Sequence, residues 1–344
     1  MKAIQIPRFG AAHEVAELID LPEPQEPVPG EVTVRVELAL IDPSDLARAA
    51  GAYPGQDTPY LAGSEGLGRV EQVGVGVEHL QPGDRVLLFG LGAWRERLNV
   101  KANRLSPLPD GVDPLQMAQL SINPPTAYFM LHEFVELQPG DWVVQNAGNS
   151  AVAGYVSQLA RGLGARTINI VRRESAVEAA REAGADAVLV DDRDLAARVR
   201  DITGDAMPRL ALDAVAGTAT GRLADCLARG GTLVTYGALS GEPCRVLPSH
   251  FIFRDIRHVG YLLTHSLNRL SPDQVRDVYA RLGGMIARGE LKSRVGRQYA
   301  LTDFRDALSA AARGGQDGKI MFAPNGPVTH DGDAIPDSAV PSNG

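Results

Sequence analysis

Between residues 138 and 264 short apolar strands alternate with helical stretches, and this alternation constrains the fold more than any other feature of the chain. QPGD (138–141) opens the strand WVVQNA (142–147), and a glycine-containing loop leads into the helix VAGYVSQLARGLG. Strand TINIVR (167–172), helix SAVEAAREAG, strand AVLV, helix LAARVRDITG, strand LALDAV, helix GRLADCLARGG and strand TLVTYG follow in turn. HVGYLLT (258–264) reads as one more strand, closing the sheet. Strands joined through helices run parallel, because each crossover returns the chain to the same end of the sheet. Apolar strands of this kind need cover on both faces, which makes the segment a doubly wound α/β domain.

The flanking parts read differently. EVTVRVELALI (31–41) follows the turn Pro29-Gly30, and GRVEQVGVGV (68–77) alternates before a Gln81-Pro82-Gly83-Asp84 turn into RVLLFG. Period-2 alternation punctuated by glycine and proline about every ten residues is the pattern of a compact, barrel-like β domain. INPPTAYFMLHEFVEL (122–137) turns helical after its prolines. After residue 264 structure is mixed: helix PDQVRDVYARLGGMIARG, strand RQYA, helix TDFRDALSAAARG and a last strand KIMFA. Residues 324–344 are rich in Pro, Gly, Asp and Ser with few large apolar side chains, the composition of a disordered tail. A chain of 344 residues accommodates two such domains.

The formal net charge of −8 argues against nucleic acid or an anionic membrane as partner, since both want a basic surface. No apolar run is long enough to span a bilayer. MKAIQIPRFG reads directly as a first strand, with no apolar signal segment, so a cytoplasmic protein is expected. Cys226 and Cys244 are too far apart for a CxxC pair, and two thiols in this length fit a reducing compartment.

In a doubly wound sheet a ligand sits beyond the carboxyl ends of the strands, where a loop feeds the first helix. That loop is Asn146-Ala147-Gly148-Asn149-Ser150-Ala151-Val152-Ala153-Gly154. Backbone N–H groups at the helix start, aided by the helix dipole, can hold a pyrophosphate. The loop is not a GxGxxG, and Asn149 and Ser150 serve equally well as plain helix caps. The next strand ends Asn169-Ile170-Val171-Arg172-Arg173, where folds preferring NAD carry an acidic residue. Two guanidiniums suit a 2′-phosphate, which they clasp by charge-assisted hydrogen bonds, so NADPH is the expected cofactor. The competing reading is a solvated arginine pair at a strand end.

IDPSDLARAAGAYP (41–54), NPPTAYFML (123–131), LQPGDWVVQNAGNSAV (137–152), RTINIVRR (166–173) and LARGGTLVTYG (227–237) together resemble the zinc-independent 2-enoyl thioester reductases of the medium-chain dehydrogenase/reductase superfamily. The match runs in order from about residue 30 to 322. The resemblance implies a GroES-like catalytic domain from 1–120 and 265–323, with a Rossmann NADPH-binding domain over 121–264. It makes Tyr53 the catalytic acid. It places Asn123, Thr126, Asn149, Ser150, Ala151, Val152, Arg172, Arg173, Tyr236, Gly237, Ala238, Leu239, Tyr261, Leu262, Leu263 and Lys319 around NADPH. Three positions depart from the family pattern. Ala153 stands for a glycine, which close helix–strand packing tolerates. Glu174 stands where a second phosphate-binding arginine is usual, and Leu262 replaces an aromatic residue near the acyl pocket.

Zinc-bearing relatives carry a cysteine and a histidine where this chain has Asp42 and Ser64, and a four-cysteine lobe absent here. Asp42 and Glu65 remain as oxygen donors, but two carboxylates without His or Cys make a poor zinc site, so no metal is expected. His79, His132, His250, His258 and His265 show no metal or triad spacing. The reaction implied is hydride transfer from NADPH to C3 of a trans-2-enoyl thioester, on coenzyme A or acyl carrier protein, with a proton from Tyr53 to C2. A quinone or alkenal reductase on the same fold is the near alternative, and a non-catalytic NADPH-binding protein the distant one. The resemblance also implies a homodimer, with HVGYLLT near the contact.

Overall fold

Segments from the two ends of the chain share one sheet, while the middle of the chain forms its own. The computed structural model describes residues 1–109, 111–315 and 318–330. It divides into one unit of Met1–Ile122 with Arg294 onward, and a second of Asn123–Ser293.

In the first unit the order is β1 (Lys2–Ile6), α1 (Ala12–Val15), β2 (Glu17–Asp20), β3 (Glu31–Leu40), α2 (Pro43–Ala49), β4 (Tyr60–Leu61), β5 (Glu65–Val73), β6 (Arg85–Phe89), β7 (Arg97–Lys101) and α3 (Pro114–Met117). The second unit runs α4 (Asn123–His132), β8 (Trp142–Gln145), α5 (Ala151–Gly162), β9 (Arg166–Val171), α6 (Val177–Glu182), β10 (Ala187–Val190), α7 (Leu195–Thr203), β11 (Leu210–Asp213), α8 (Thr218–Asp225), β12 (Thr232–Thr235), α9 (Pro248–Arg254), β13 (Arg257–Gly260), α10 (Leu263–Asn268) and α11 (Pro272–Ala287). The chain then returns to the first unit with β14 (Val295–Tyr299), α12 (Phe304–Arg313) and β15 (Lys319–Phe322).

The second unit holds a six-stranded sheet in the order β10-β9-β8-β11-β12-β13, with every pair parallel. Strand order reverses between β8 and β11, and the crevice beyond their carboxyl ends is where such sheets bind ligands. Between β8, β9 and α5 lies a buried polar network rather than a purely apolar interface. Gln145 Nε2 donates to Asn169 Oδ1 at 2.8 Å and to the Ala153 carbonyl at 3.0 Å, and Thr167 Oγ1 meets Ser157 Oγ at 3.0 Å. Buried polar groups bonded in this way favour one arrangement of helix on strand.

In the first unit the main sheet runs β14-β15-β3-β5-β6, with β7 also on β3, and a smaller sheet runs β2-β1-β4. β15 pairs antiparallel with β3, so the barrel-like sheet is completed only by residues near 320. Trp94, 1% exposed, anchors this core. Its ring packs edge-on against Phe322 at 5.2 Å and its Nε1 donates to the Leu40 carbonyl at 2.8 Å.

Several expectations need correction. HVGYLLT does not continue as a strand. Pairing with β12 stops at Gly260, and Leu263 starts α10, whose buried Leu263 and Ser266 pack towards α4. The boundary expected after residue 264 lies at Ser293, because α10 and α11 both pack on α4 and Gln158 bonds the Lys292 backbone in both directions at 2.8 and 2.9 Å. The helix expected over 122–137 is Asn123–His132 and includes its prolines, which the first turn tolerates because its N–H groups have no helical partner. The expected tail holds fast through its first residues. Asn325 Nδ2 donates to the Val36 and Glu96 carbonyls, both at 2.9 Å, and buried Val328 exchanges two bonds with Gln298. The rest of that segment, 331–344, lies outside the described residues.

Candidate active site

The loop after β8 is built by close backbone approach. A Cβ on Gly148 would lie 2.7 Å from Asn169 Cβ and 2.9 Å from the Asn169 carbonyl carbon, so only glycine lets the loop lie on β9. Gly148 N–H donates to the Ile170 carbonyl at 2.9 Å, and Asn169 Nδ2 donates to the Gly148 carbonyl at 2.8 Å. Ala147 takes a positive φ of 48°, which turns the chain out of the strand. Ser150 is the N-cap of α5, its Oγ accepting from Ala153 N–H at 3.2 Å. Its capping role is therefore real, with Asn149 just before the cap and Ala151 and Val152 in the first turn of α5.

Asn146, read only as the first residue of the loop, and Asp213, which motif reading passed over, tie this loop to the sheet. Asn146 Nδ2 donates to Asp213 Oδ1 at 2.6 Å, and its Oδ1 accepts from Ala214 N–H at 2.7 Å, tying the β8 loop to the end of β11. Asp213 also accepts from Val215 N–H, Ala216 N–H and Thr220 Oγ1, the last at 2.6 Å. Polar residues at strand ends look like ordinary turn formers in a sequence, and no spacing singled these out.

Arg172 and Arg173 emerge at the end of β9, exposed, and neither is ion-paired among the described residues. Two unengaged guanidiniums beside a helix N-terminus form the donor set a ribose phosphate needs. Tyr236 follows β12 with its hydroxyl buried near Ser150, and burial lifts its pKa well above the ordinary value of 10. Gly237 permits another close approach, since a Cβ there would meet the Ala214 carbonyl at 2.8 Å, while Ala238 and Leu239 are exposed. Thr126 and Tyr261 come together: the buried Tyr261 hydroxyl lies near Thr126 and Ser266, and burial raises its pKa too. Asn123, at the start of α4, is buried, and its Nδ2 has no hydrogen-bond partner among the described residues. Leu262 is exposed and lines, with Tyr261, Phe134, His265 and Arg269, a cavity of about 510 Å³ beside β13. Leu263 is buried as the first residue of α10.

Tyr53 and Lys319 belong to the other unit. Tyr53 lies four residues beyond α2 and is half-buried. Burial raises its phenol above the ordinary 10, the Arg48 guanidinium opposes this, and the Asp45 and Asp42 carboxylates reinforce it. Arg48 lies over the Tyr53 ring, 4.7 Å from its centre. The α2 helix that carries Arg48 was not anticipated, although Asp42-Pro43 is a ready N-cap and first-turn pair.

Lys319 Nζ is bonded to Asp42 Oδ1 in the interior, not presented to solvent. Around this pair lie Asp45, which accepts from Ser64 N–H at 3.0 Å and Ser64 Oγ at 2.5 Å, and Glu65, which is 0% exposed. Burial, then the Asp42 charge, pushes the Asp45 pKa up to about 6, and the same causes hold Glu65 well above the usual carboxylate range. Asp42 and Ser64 are the positions matched above to a cysteine and a histidine of zinc-bearing relatives. They do not fit zinc. Carboxylates and a hydroxyl replace thiolate and imidazole, and an ammonium already neutralises them. Among the described residues no group of three or more His, Cys, Asp or Glu could hold a metal ion.

Comparison with known proteins agrees with this architecture. The model of the alcohol dehydrogenase GroES-like domain matches residues 28–110, and that of the zinc-binding dehydrogenase matches 151–281. The mitochondrial enoyl-[acyl-carrier-protein] reductase of Homo sapiens is 36% identical over 291 residues, which cover 82% of this chain and 78% of that protein. A mycobacterial protein solved with NADPH is 29% identical, with a TM-score of 0.84 covering 94% of this chain and 100% of that one. A mycobacterial quinone oxidoreductase gives a TM-score of 0.81 at 29% identity, with the same coverage. The chain belongs to the medium-chain dehydrogenase/reductase superfamily and, within it, to the family of the zinc-independent enoyl thioester reductases.

Proposed function

We propose that this protein uses NADPH to reduce the C2=C3 double bond of trans-2-enoyl thioesters carried on coenzyme A or acyl carrier protein. The observation that carries this reading is the setting of Tyr53, a half-buried phenol just beyond α2 with the Arg48 guanidinium 4.7 Å from its ring centre. NADPH, when bound, supplies the hydride that goes to C3. The first turn of α5 holds the pyrophosphate, Arg172 and Arg173 hold the 2′-phosphate, and Asn123, Thr126, Tyr236 and Tyr261 offer buried polar atoms for the rest of the cofactor. Asn149, Ala151, Val152, Gly237, Ala238, Leu239, Leu262 and Leu263 border it.

As charge builds on the thioester enolate, Tyr53 donates its proton to C2, directly or through water. A phenol suits this task because it stays protonated at neutral pH and yet is acidic enough to quench an enolate. Positioned proton donation contributes roughly 100- to 10,000-fold in rate. Initial rates with a crotonyl thioester, NADPH against NADH, test the reading. Tyr53→Phe is expected to cut kcat within that range with NADPH affinity retained, and full activity in that variant would remove Tyr53 from the mechanism.

The likeness to the mycobacterial quinone oxidoreductase favours one second reading, reduction of a quinone or short enone. A benzoquinone assayed beside crotonyl and longer enoyl thioesters separates the two by kcat/KM. A homodimer is part of the proposal, supported by the position of β13 at the end of its sheet, and light scattering measures it. The compartment is open to the same treatment. No helix among the described residues is long and apolar enough to cross a membrane, and the two unlinked cysteines fit a reducing, cytoplasmic setting. The human relative's name places that protein in the mitochondrion, so cell fractionation is the deciding measurement.

A further inference from the structure

Arg48 forms no ion pair among the described residues, although it sits half-buried in the last turn of α2. Its guanidinium lies 4.7 Å from the centre of the Tyr53 ring. Nη1 donates to Gln56 Oε1 at 3.0 Å, and Nε is buried with no hydrogen-bond partner among the described residues. Gln56 is tied back to the tyrosine, since its N–H donates to the Tyr53 carbonyl at 3.4 Å.

The natural partner for this cation is Asp45, three residues back on the helix, a spacing at which opposite charges ordinarily pair. Asp45 is engaged elsewhere. Its Oδ1 accepts from Ser64 N–H at 3.0 Å and Ser64 Oγ at 2.5 Å, and its Oδ2 accepts from Asp42 N–H at 2.9 Å. The guanidinium is left facing an aromatic ring. A neutral phenol attracts it only through the ring quadrupole, whereas a phenolate offers a full opposite charge.

We propose that Arg48 stabilises the tyrosinate that Tyr53 becomes on giving its proton to C2, and so promotes proton transfer through Tyr53 as a positioning residue. The proposal rests on Tyr53 being the proton donor. In that step the Tyr53 O–H bond breaks, the enolate electron pair forms the C2–H bond, and the negative charge passes to the phenol oxygen. Water then returns a proton to the phenolate. An opposite charge within about 4–6 Å changes acidity by roughly 10- to 1,000-fold. A positioned acid passes about half of that, on a logarithmic scale, into rate, which gives roughly 3- to 30-fold.

The test measures kcat and KM for crotonyl-CoA and for the crotonyl thioester of N-acetylcysteamine, which carries no phosphate. NADPH affinity by fluorescence titration and the solvent deuterium isotope effect on kcat are measured beside them. The variants are Arg48→Met and Arg48→Lys, each with and without Tyr53→Phe. Arg48→Met is expected to lower kcat by roughly 3- to 30-fold with both thioesters, to enlarge the isotope effect and to leave NADPH affinity unchanged. Arg48→Lys is expected to recover most of the loss, because it keeps the charge. In the Tyr53→Phe background, Arg48→Met is expected to cost nothing further. Should Arg48→Met fail to fold, Arg48→Gln is read in its place, since an amide still donates to Gln56 Oε1 but carries no charge.

The proposal is overturned by wild-type kcat in the folded uncharged variant, by Arg48→Lys as damaging as Arg48→Met, or by losses that multiply with Tyr53→Phe. It is equally overturned by a loss confined to KM for crotonyl-CoA, which would put Arg48 on the phosphates of the carrier. If Tyr53→Phe is itself fully active, the proton-donor reading fails and the role of Arg48 fails with it. If Tyr53→Phe is inactive and Arg48→Met is normal, the role of Arg48 alone fails.

Discussion

Gly148→Ala tests the cofactor loop with one methyl group. The added Cβ would sit 2.7 Å from Asn169 Cβ, 2.9 Å from the Asn169 carbonyl carbon and 3.0 Å from Ile170 N. Two of these three are backbone atoms of β9, held in the middle of a parallel sheet, so the loop must yield and not the strand. Overpacking of this kind costs about 1–3 kcal/mol. Moving the loop also strains the Gly148–Ile170 backbone bond and the Asn169–Gly148 side-chain bond. For a domain of this size each kcal/mol lowers Tm by roughly 2–4 °C, giving an expected fall of about 2–12 °C. The α5 N–H groups move with the loop, and loss of about 1.4 kcal/mol of phosphate binding corresponds to a tenfold weaker NADPH Kd. Thermal melts with and without NADPH, together with fluorescence titration, measure both quantities. Gly162→Ala is the control, because nothing lies within 4 Å of the new methyl and its φ is not positive. It is expected to be neutral or to stabilise by about 0.5–1 kcal/mol. A Gly148→Ala protein with wild-type Tm and wild-type NADPH affinity would show that the loop does not depend on this contact.

Arg172→Ala/Arg173→Ala is expected to raise KM for NADPH by about tenfold or more while leaving NADH nearly unaffected, since each charge-assisted bond is worth about 1.5–3 kcal/mol; equal effects on both cofactors would contradict a phosphate-binding role. Asp213→Ala leaves two backbone N–H groups, Thr220 and Asn146 without their acceptor, and at about 1–3 kcal/mol per orphaned group the expected loss is at least about 3 kcal/mol, read by urea denaturation. The buried acids give stability a definite pH slope. Asp45 titrates near 6 when folded and near 3.8 when unfolded, and Glu65 is raised in the same direction, so the folded state holds protons that the unfolded chain releases. Their contribution is complete below about pH 4 and is lost as pH rises through 6 and beyond, by ~3 kcal/mol for Asp45 at most. Glu65→Gln removes its share of that slope, so its Tm relative to wild type is expected to climb with pH; a pH-independent difference would mean that Glu65 is ionised throughout.

The parallel sheet was legible because its strands are short apolar runs bounded by turn residues, a pattern only double-sided burial explains. The loop was legible because chain order alone puts it at the switch point after β8, and the arginine pair because it ends the next strand, β9. Other features leave no local mark. Tyr261-Leu262-Leu263 is as apolar as a strand, and its exit from the sheet is decided by α10 packing on α4. An amphipathic helix such as α11 shows that it has a buried face but not which unit buries it. The Asp42–Lys319 pair is beyond spacing arguments altogether, as only the antiparallel match of β15 to β3 brings its halves together.

Because of that match, the first unit draws its last strand from the end of the chain. The first unit has most of its sheet by residue 101, yet Lys319, Ile320 and Phe322 arrive with the last strand. The nested unit is continuous from Asn123 to Ser293, so all of its residues precede β15 in the chain. A chain that ends before residue 319 contains every strand of the parallel sheet but lacks β15, and with it the lysine that pairs with Asp42.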